Sequence, residues 1–277
     1  MDDTLYKHGF NFKKKFGQNF LSDTNLLRAI VSDAGISEND TVLEIGTGAG
    51  ALTRALAEKA KRVVSYEIDR DLQPVLEETL SGLDNVEVVF RDFARENLEK
   101  LEEELGEYVV VANLPYYITT PLVMRFAEEG KKCQGFTVMV QEEVASRFCA
   151  NANTADYGAV TAALARRGKA ELLRKVPRTM FTPRPNVDSA IVKVDFTQGG
   201  FEVKSAKAYR ETVRCGFLSR RKTLENNLVN TFGLTREQAK EVLQAAGIKE
   251  GARGESLTPQ TLGVLSDILF DKGIVKE

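Results

Sequence analysis

The chain of 277 residues carries one histidine, His8, and three cysteines, Cys133, Cys149 and Cys215. A Ser-His-Asp triad or a histidine-rich metal centre would have to draw on His8, which sits in a polar amino-terminal arm. Hydrolytic chemistry is therefore disfavoured, and no metal is expected. The cysteines are odd in number and widely spaced, which suggests neither a disulfide framework nor a zinc site; they read as reduced thiols. No apolar run approaches the ~18 residues that a membrane span requires. No signal-peptide core follows Met1-Asp2-Asp3-Thr4. These absences lead to the expectation of a cytoplasmic protein without a membrane partner. Hydrophobic content of 43% and charged content of 28% suit a soluble globular chain. The length suits one large domain or a domain with an appendage.

The net charge of −2 is small, but its distribution is uneven. Residues 203–223 carry Lys204, Lys207, Arg210, Arg214, Arg220, Arg221 and Lys222 against Glu211 alone. Residues 165–178 carry Arg166, Arg167, Lys169, Arg174, Lys175 and Arg178 against Glu171. Glu96, Glu99, Glu102, Glu103, Glu104 and Glu107 form an opposing acidic run. Such asymmetry suits a polyanion bound on one side, although a charge run is also what a solvated helix looks like.

The arm is basic and aromatic, with Lys7, Lys13, Lys14 and Lys15 ahead of Phe16 and Phe20, and it is expected to fold back through those two rings. Ser22 or Asp23 can cap a helix that Gly35 stops. Strands and helices then alternate. Thr41–Ile45, Arg62–Ile68, Val86–Phe90, Tyr108–Ala112 and Phe136–Val140 read as strands, with two more over Glu171–Val176 and Ala190–Phe196. This pattern predicts an α/β fold with a doubly wound, mainly parallel sheet of seven strands. Beyond Thr197-Gln198-Gly199-Gly200 strand signals fade, and helical spacing covers Tyr209–Phe217, Thr223–Thr231, Arg236–Ala246 and Pro259–Phe270. Thr235 and Thr258 are the expected caps of the last two. The expected division is a catalytic domain over residues 1–200 and a small all-helical domain over 201–277.

The strand ends carry the chemistry. The first runs into Gly46-Thr47-Gly48-Ala49-Gly50, where glycines let a ligand approach the backbone. Glu67 ends the second and can accept hydrogen bonds from two ribose hydroxyls. These two features also fit a dinucleotide dehydrogenase, because Gly46, Gly48 and Ala51 satisfy G-x-G-x-x-A. The third strand ends at Arg91-Asp92, a carboxylate placed to hold an adenine amino group. The fourth runs into Asn113-Leu114-Pro115-Tyr116, for which a dehydrogenase has no particular use. An adenine amino-methyltransferase does use such a loop. The N6 amine is a poor nucleophile because its lone pair is delocalised into the ring. Acceptors from the Asn113 side chain and the Leu114 carbonyl would favour a pyramidal nitrogen facing a methyl donor. Tyr116 would stack on the base, worth ~1–3 kcal/mol. Phe181, ahead of the last strand, is a candidate second wall or an ordinary core residue.

Together these stretches resemble the ribosomal RNA adenine dimethyltransferase family, in particular its bacterial small-subunit branch. Matching residues include Phe16-Gly17-Gln18-Asn19-Phe20-Leu21, Glu44–Gly50, Glu67-Ile68-Asp69, Arg91-Asp92, Asn113–Pro121, Phe181–Ala190 and Arg220-Arg221-Lys222. The resemblance covers nearly the whole chain. It departs at Thr47 and Ala49, where the family often has proline and leucine. It implies a Rossmann-like class I methyltransferase fold with S-adenosylmethionine as the donor. On that resemblance Asn19, Leu21, Gly46, Glu67, Asp92 and Asn113 bind the cofactor, and Asn113, Leu114, Tyr116 and Phe181 serve catalysis. Arg220, Arg221 and Lys222 then bind RNA. The implied substrate is a pair of adjacent adenosines in the 3′-terminal hairpin of 16S rRNA, within the small ribosomal subunit or its precursor, and the implied state is a monomer. The macrolide-resistance branch acting on 23S rRNA, and a catalytically silent ribosome-assembly protein, are the alternatives.

Overall fold

The computed structural model describes residues 2–13 and 16–277, so Lys14 and Lys15 of the basic arm lie outside the described residues. The chain opens with α1 (Asp2–Lys7), β1 (Phe20–Leu21) and α2 (Thr24–Ala34). An alternating stretch follows: β2 (Thr41–Ile45), α3 (Ala51–Ala57), β3 (Arg62–Glu67), α4 (Gln73–Thr79), β4 (Val86–Phe90), α5 (Leu98–Leu105) and β5 (Tyr108–Asn113). Next come α6 (Thr119–Glu129), β6 (Cys133–Gln141), α7 (Glu142–Phe148) and α8 (Ala159–Arg167). Then β7 (Lys169–Val176), β8 (Phe181–Thr182) and β9 (Ser189–Asp195) precede α9 (Ala206–Phe217), α10 (Leu224–Phe232), α11 (Arg236–Ala245) and α12 (Pro259–Asp271).

Seven strands form one sheet in the order β4-β3-β2-β5-β6-β9-β7. Strands β4 through β6 in that order are parallel, and β9 runs antiparallel to β6. The expected α/β class and strand count are therefore met. In β2, Val42, Leu43, Glu44 and Ile45 are all buried, as a strand covered on both faces requires. One face packs Leu27, Ile30 and Val31 of α2 and Leu56 of α3 against Val42, Val63 and Val111. On the other, Tyr66 meets Phe93, and Phe126 of α6 meets Phe93 and Tyr108. The side chain of Asp23 accepts from the Leu26 N–H to start α2, and Gly35 ends it in the left-handed conformation.

Two features escaped local sequence signals. The arm forms α1, whose Leu5 packs with Phe20, Ala49, Leu72, Val75 and Leu76. Its far end, β1, pairs antiparallel with β8, setting Leu21 opposite Phe181.

The chain divides into two compact units, but not at residue 200. One comprises residues 1–145 and 171–196, the other residues 146–170 and 197–277. Helix α8 thus belongs with the carboxyl-terminal helices, a correction to the expected boundary. The reason is packing: Ala162 lies in one apolar cluster with Tyr209, Val213, Leu228 and Leu265, and the Tyr209 hydroxyl donates to the Ala162 carbonyl at 2.9 Å. Within the helical unit Thr235 and Thr258 cap α11 and α12, and Pro259 takes the first turn of α12. Among the described residues no helix is long and apolar enough to cross a membrane.

Candidate functional site

Strand β2 lies between β3 and β5, and the winding of the sheet reverses there. Open α/β sheets bind ligands outside the carboxyl ends of strands at such a reversal. Within the sheet unit a cleft with about 770 Å³ of empty space opens at this point. Its lining draws on the ends of β2 (Gly46, Gly48), β3 (Glu67, Ile68), β4 (Arg91, Asp92) and β5 (Asn113 to Tyr117), and on Phe16 to Phe20 of the arm.

Asn113 ends β5, and its Nδ2 donates to the main-chain carbonyl of Asn19 at 3.1 Å. A main-chain carbonyl can only accept, so the amide nitrogen must face Asn19 and Oδ1 must face elsewhere. Among the described residues neither Asn113 Oδ1 nor the Leu114 carbonyl receives a hydrogen bond from the protein. Two adjacent acceptors are therefore available at the cleft. Tyr116 is half-buried in the cleft wall, with its hydroxyl 3.0 Å from Ser189 Oγ. Burial raises the pKa of that hydroxyl, and the Ser189 contact opposes the shift. The ring is thus tethered at its far end while one side stays open to the cleft.

Glu67 is nearly buried, with Oε2 accepting from the Gly48 N–H and Oε1 from the Asp69 N–H, both at 2.8 Å. Burial raises its pKa and these amides oppose the rise. An ionised carboxylate has about four acceptor positions, so acceptor capacity for a ligand hydroxyl remains beyond the Asp69, Gly48 and Ile68 amides. Asp92 caps the turn after β4 by accepting from the Ala94 N–H at 3.0 Å, and its other oxygen lies 3.5 Å from Arg95 Nε. Gly46 has φ +88°, and a Cβ there would meet the Asn113 carbonyl at 3.6 Å. A glycine is needed where the backbone turns this way beside β5.

Not every expected site residue lines this cleft. Leu21 is buried and lines an adjoining smaller cavity that shares Phe20, Gly46, Gly48 and Asn113 with the main one. Phe181 is 5% exposed and packs with Leu21, Val176 and Ile191 in the sheet's core. Its place opposite Leu21 in the β1–β8 pair turns it inward, so in this structure it braces the arm rather than walling the cleft. Gln18 and Asp69 were not foreseen as functional. Gln18 and Asp69 stand in the matching stretches, but nothing local shows that they meet. The departures at Thr47 and Ala49 are accommodated: Thr47 Oγ1 lies 2.6 Å from Ser65 Oγ, and Ala49 is buried against Phe20.

In the helical unit the three expected RNA-binding residues differ. Arg220 contacts Glu255 Oε2 at 2.8 Å and the carbonyls of Ala155 and Tyr157 at 3.0 and 3.2 Å. It clasps the loop before α8. Arg221 and Lys222 are exposed between α9 and α10, and among the described residues neither has an ion-pair partner. Residues of the other basic stretch divide between the units, and Arg174 and Lys175 are paired with Asp33 and Glu142.

The sequence profile of the family described as ribosomal RNA adenine dimethylase matches residues 9–262. The chain belongs to that family. The ribosomal RNA small subunit methyltransferase A of Bacillus licheniformis is 43% identical over 275 residues, covering 96% of this chain and 94% of that protein. The protein of the same name from Streptococcus equi subsp. zooepidemicus is 45% identical over 278 residues, covering 98% and 96%. Among solved structures, a dimethyladenosine transferase from Plasmodium falciparum superposes with a TM-score of 0.78 at 25% identity, covering 92% of this chain and 98% of that one. The 23S rRNA methyltransferase ErmE superposes with a TM-score of 0.69 at 31% identity, covering 91% and 99%. As a member of this family the chain is a methyltransferase, and no group of three or more potential metal ligands occurs among its described residues.

Proposed function

We propose that this chain dimethylates the N6 amines of two adjacent adenosines in the 3′-terminal hairpin of 16S rRNA, with S-adenosylmethionine as donor, during small-subunit assembly. The carrying observation is the amide of Asn113, oriented by Asn19 so that Oδ1 stands free beside the Leu114 carbonyl. The cleft's donors and acceptors fit the cofactor. Glu67 has acceptor capacity for the ribose hydroxyls, Asp92 would hold the adenine, and Gly46 and Asn19, with Leu21 from the adjoining cavity, would line the methionine end. S-adenosylmethionine supplies an electrophilic methyl group on a sulfonium centre.

Asn113 and Leu114 accept from the two hydrogens of the adenine amine and draw its lone pair out of ring conjugation. Tyr116 stacks on the splayed-out base, an interaction worth ~1–3 kcal/mol. No strong base is needed if the amine's proton leaves to water after transfer. His8 is consistent with this, being engaged with Glu78 at 2.9 Å and absent from the cleft lining. Identity of 43–45% to small-subunit enzymes against 31% to ErmE favours the small-subunit branch. A silent assembly factor would have no use for Glu67, Asp92, Asn113 and Tyr116 gathered at one cleft.

Labelled S-adenosylmethionine offered with unmethylated small subunits, and separately with large subunits, tests the assignment. Label on two neighbouring adenosines of 16S rRNA is expected; label confined to 23S rRNA would refute it. Asn113→Ala should abolish transfer while the cofactor still binds.

A further inference from the structure

Asp69 is buried at the end of β3, yet its side chain is turned to the arm rather than into the cleft. Oδ2 accepts from Gln18 Nε2 at 2.8 Å, and Oδ1 accepts from Lys13 Nζ at 2.6 Å. Gln18 Oε1 in turn accepts from the Lys13 N–H at 2.7 Å, which closes the loop between them. Lys13 also reaches Asp71 Oδ2 at 2.5 Å. The next residue after Gln18 is Asn19, whose carbonyl holds the Asn113 amide. The Asp69 N–H, meanwhile, donates to Glu67. One residue thus joins the arm, the carboxylate proposed for the ribose and, through Asn19, the amide proposed for the amine. Burial would raise the Asp69 pKa, but the Lys13 and Gln18 hydrogen bonds outweigh it and hold the group below its ordinary value.

We propose that Asp69 and Gln18 are positioning residues for methyl transfer: they latch the arm so that the Asn19 carbonyl turns Asn113 Oδ1 toward the adenine amine. This rests on the role proposed above for Asn113. The latch has a defined polarity. Asp69 offers acceptors only, and the three groups facing it, the Lys13 ammonium, the Gln18 NH₂ and the Asp71 N–H, are all donors. An asparagine there would aim its own NH₂ at Lys13 or at Gln18. Rotating the Gln18 amide to meet it would put two donors together at the Lys13 N–H, so the mismatch moves without vanishing. A glutamate at position 18 removes the conflict, because it accepts from both the Lys13 N–H and an asparagine at position 69.

Asp69→Asn is therefore expected to lower kcat at saturating S-adenosylmethionine by roughly ten- to hundredfold, the scale of a misplaced reacting group. Adding Gln18→Glu should bring kcat back to within about threefold of the starting protein, which a general loss of structure would not allow. Asn113 also gives a readout independent of turnover. Its side-chain NH₂ signal in a nitrogen-15 NMR spectrum should be protected from exchange in the unaltered protein, exposed in Asp69→Asn and protected again in the double variant. If Asp69→Asn does not fold, Gln18→Ala cuts the latch from the arm side and should show the same exposure. An unchanged kcat, a loss that Gln18→Glu leaves unrepaired, or an Asn113 amide indifferent to all these changes would overturn the proposal. Failure of the unaltered protein to methylate small subunits would instead overturn the functional assignment, with the amide signal still reporting on the latch.

Discussion

Replacing Glu44 with glutamine should remove a pH dependence of folding that the unaltered protein carries. Glu44 is fully buried in β2, two residues before Gly46. Its Oε2 accepts from the hydroxyls of Thr53 and Ser65, each at 2.6 Å, while Oε1 is buried without a partner. Burial pushes its pKa from 4.5 up to about 8; the two hydroxyls oppose the shift and Glu67 adds to it. Between those values the folded chain keeps a proton that the unfolded chain releases. The Glu44 contribution to stability is thus greatest below pH 4.5, declines as pH rises, and levels off above pH 8.

At about 1.4 kcal/mol per pH unit, the Glu44 contribution should fall by about 3 kcal/mol between about pH 5 and pH 8. Glutamine does not titrate, and its NH₂ at the unpartnered position costs about 1–3 kcal/mol at every pH. The variant should therefore be the less stable protein near pH 5 and should draw level with or overtake the unaltered one near pH 8. Urea unfolding of both proteins at several pH values, followed by circular dichroism, measures the difference. Glu67, whose pKa is also raised, titrates in both and largely cancels. A stability difference that stays constant from about pH 5 to pH 8 would refute the reasoning, and would mean that water or a rearranged hydroxyl network solvates the Glu44 carboxylate.

Further expectations follow from the same geometry. Glu67→Ala leaves the Gly48 and Asp69 amides without their acceptor and should weaken S-adenosylmethionine binding by roughly 10- to 100-fold in calorimetry; unchanged affinity would place the ribose elsewhere. Changing Arg221 and Lys222 to Glu should weaken RNA binding and flatten its dependence on salt by about one unit of logarithmic slope for each phosphate that the protein no longer neutralises. Arg220→Ala should instead lower the stability of the helical unit by about 1–2 kcal/mol, read from its melting temperature, because it removes three hydrogen bonds, two of them to the loop before α8. Gly254→Ala would set a Cβ 2.1 Å from the Gly216 carbonyl oxygen and should cost roughly 3 kcal/mol or more in urea unfolding.

Most of the sheet and the chemical content of its strand ends were legible in the sequence. Each strand of β2 to β5 carries its own apolar run, and each ends in or runs directly into a residue whose chemistry declares itself: Gly46, Glu67, Asp92 and Asn113. The caps at Asp23, Thr235 and Thr258 were legible for the same reason, since a cap acts on amides two or three residues away. Element ends differed by a few residues, as with α9, which starts at Ala206 where Ser205 caps it rather than at Tyr209. What local signals missed depends on distant partners. Helix α8 reads as an ordinary amphipathic segment, and only its packing on Tyr209 assigns it to the helical unit. Arg220 is one of three adjacent cations in sequence, yet Glu255 and two carbonyls engage it while Arg221 and Lys222 remain open.

Local sequence alone specifies a mainly parallel α/β sheet that presents a glycine turn, two carboxylates and an Asn-Leu-Pro-Tyr loop at the ends of neighbouring strands. Hydrophobic periodicity and turn chemistry act over a few residues, so they can be read without knowing the fold. The tertiary structure decided which of those groups meet. It brought Asn19 to Asn113 across ninety-four positions of chain, turned Phe181 into the core, and set Asp69 between the arm and Glu67. Such pairings require the whole sheet and the returning arm to be in place, because a hydrogen bond's direction is fixed by the backbones that carry its two ends.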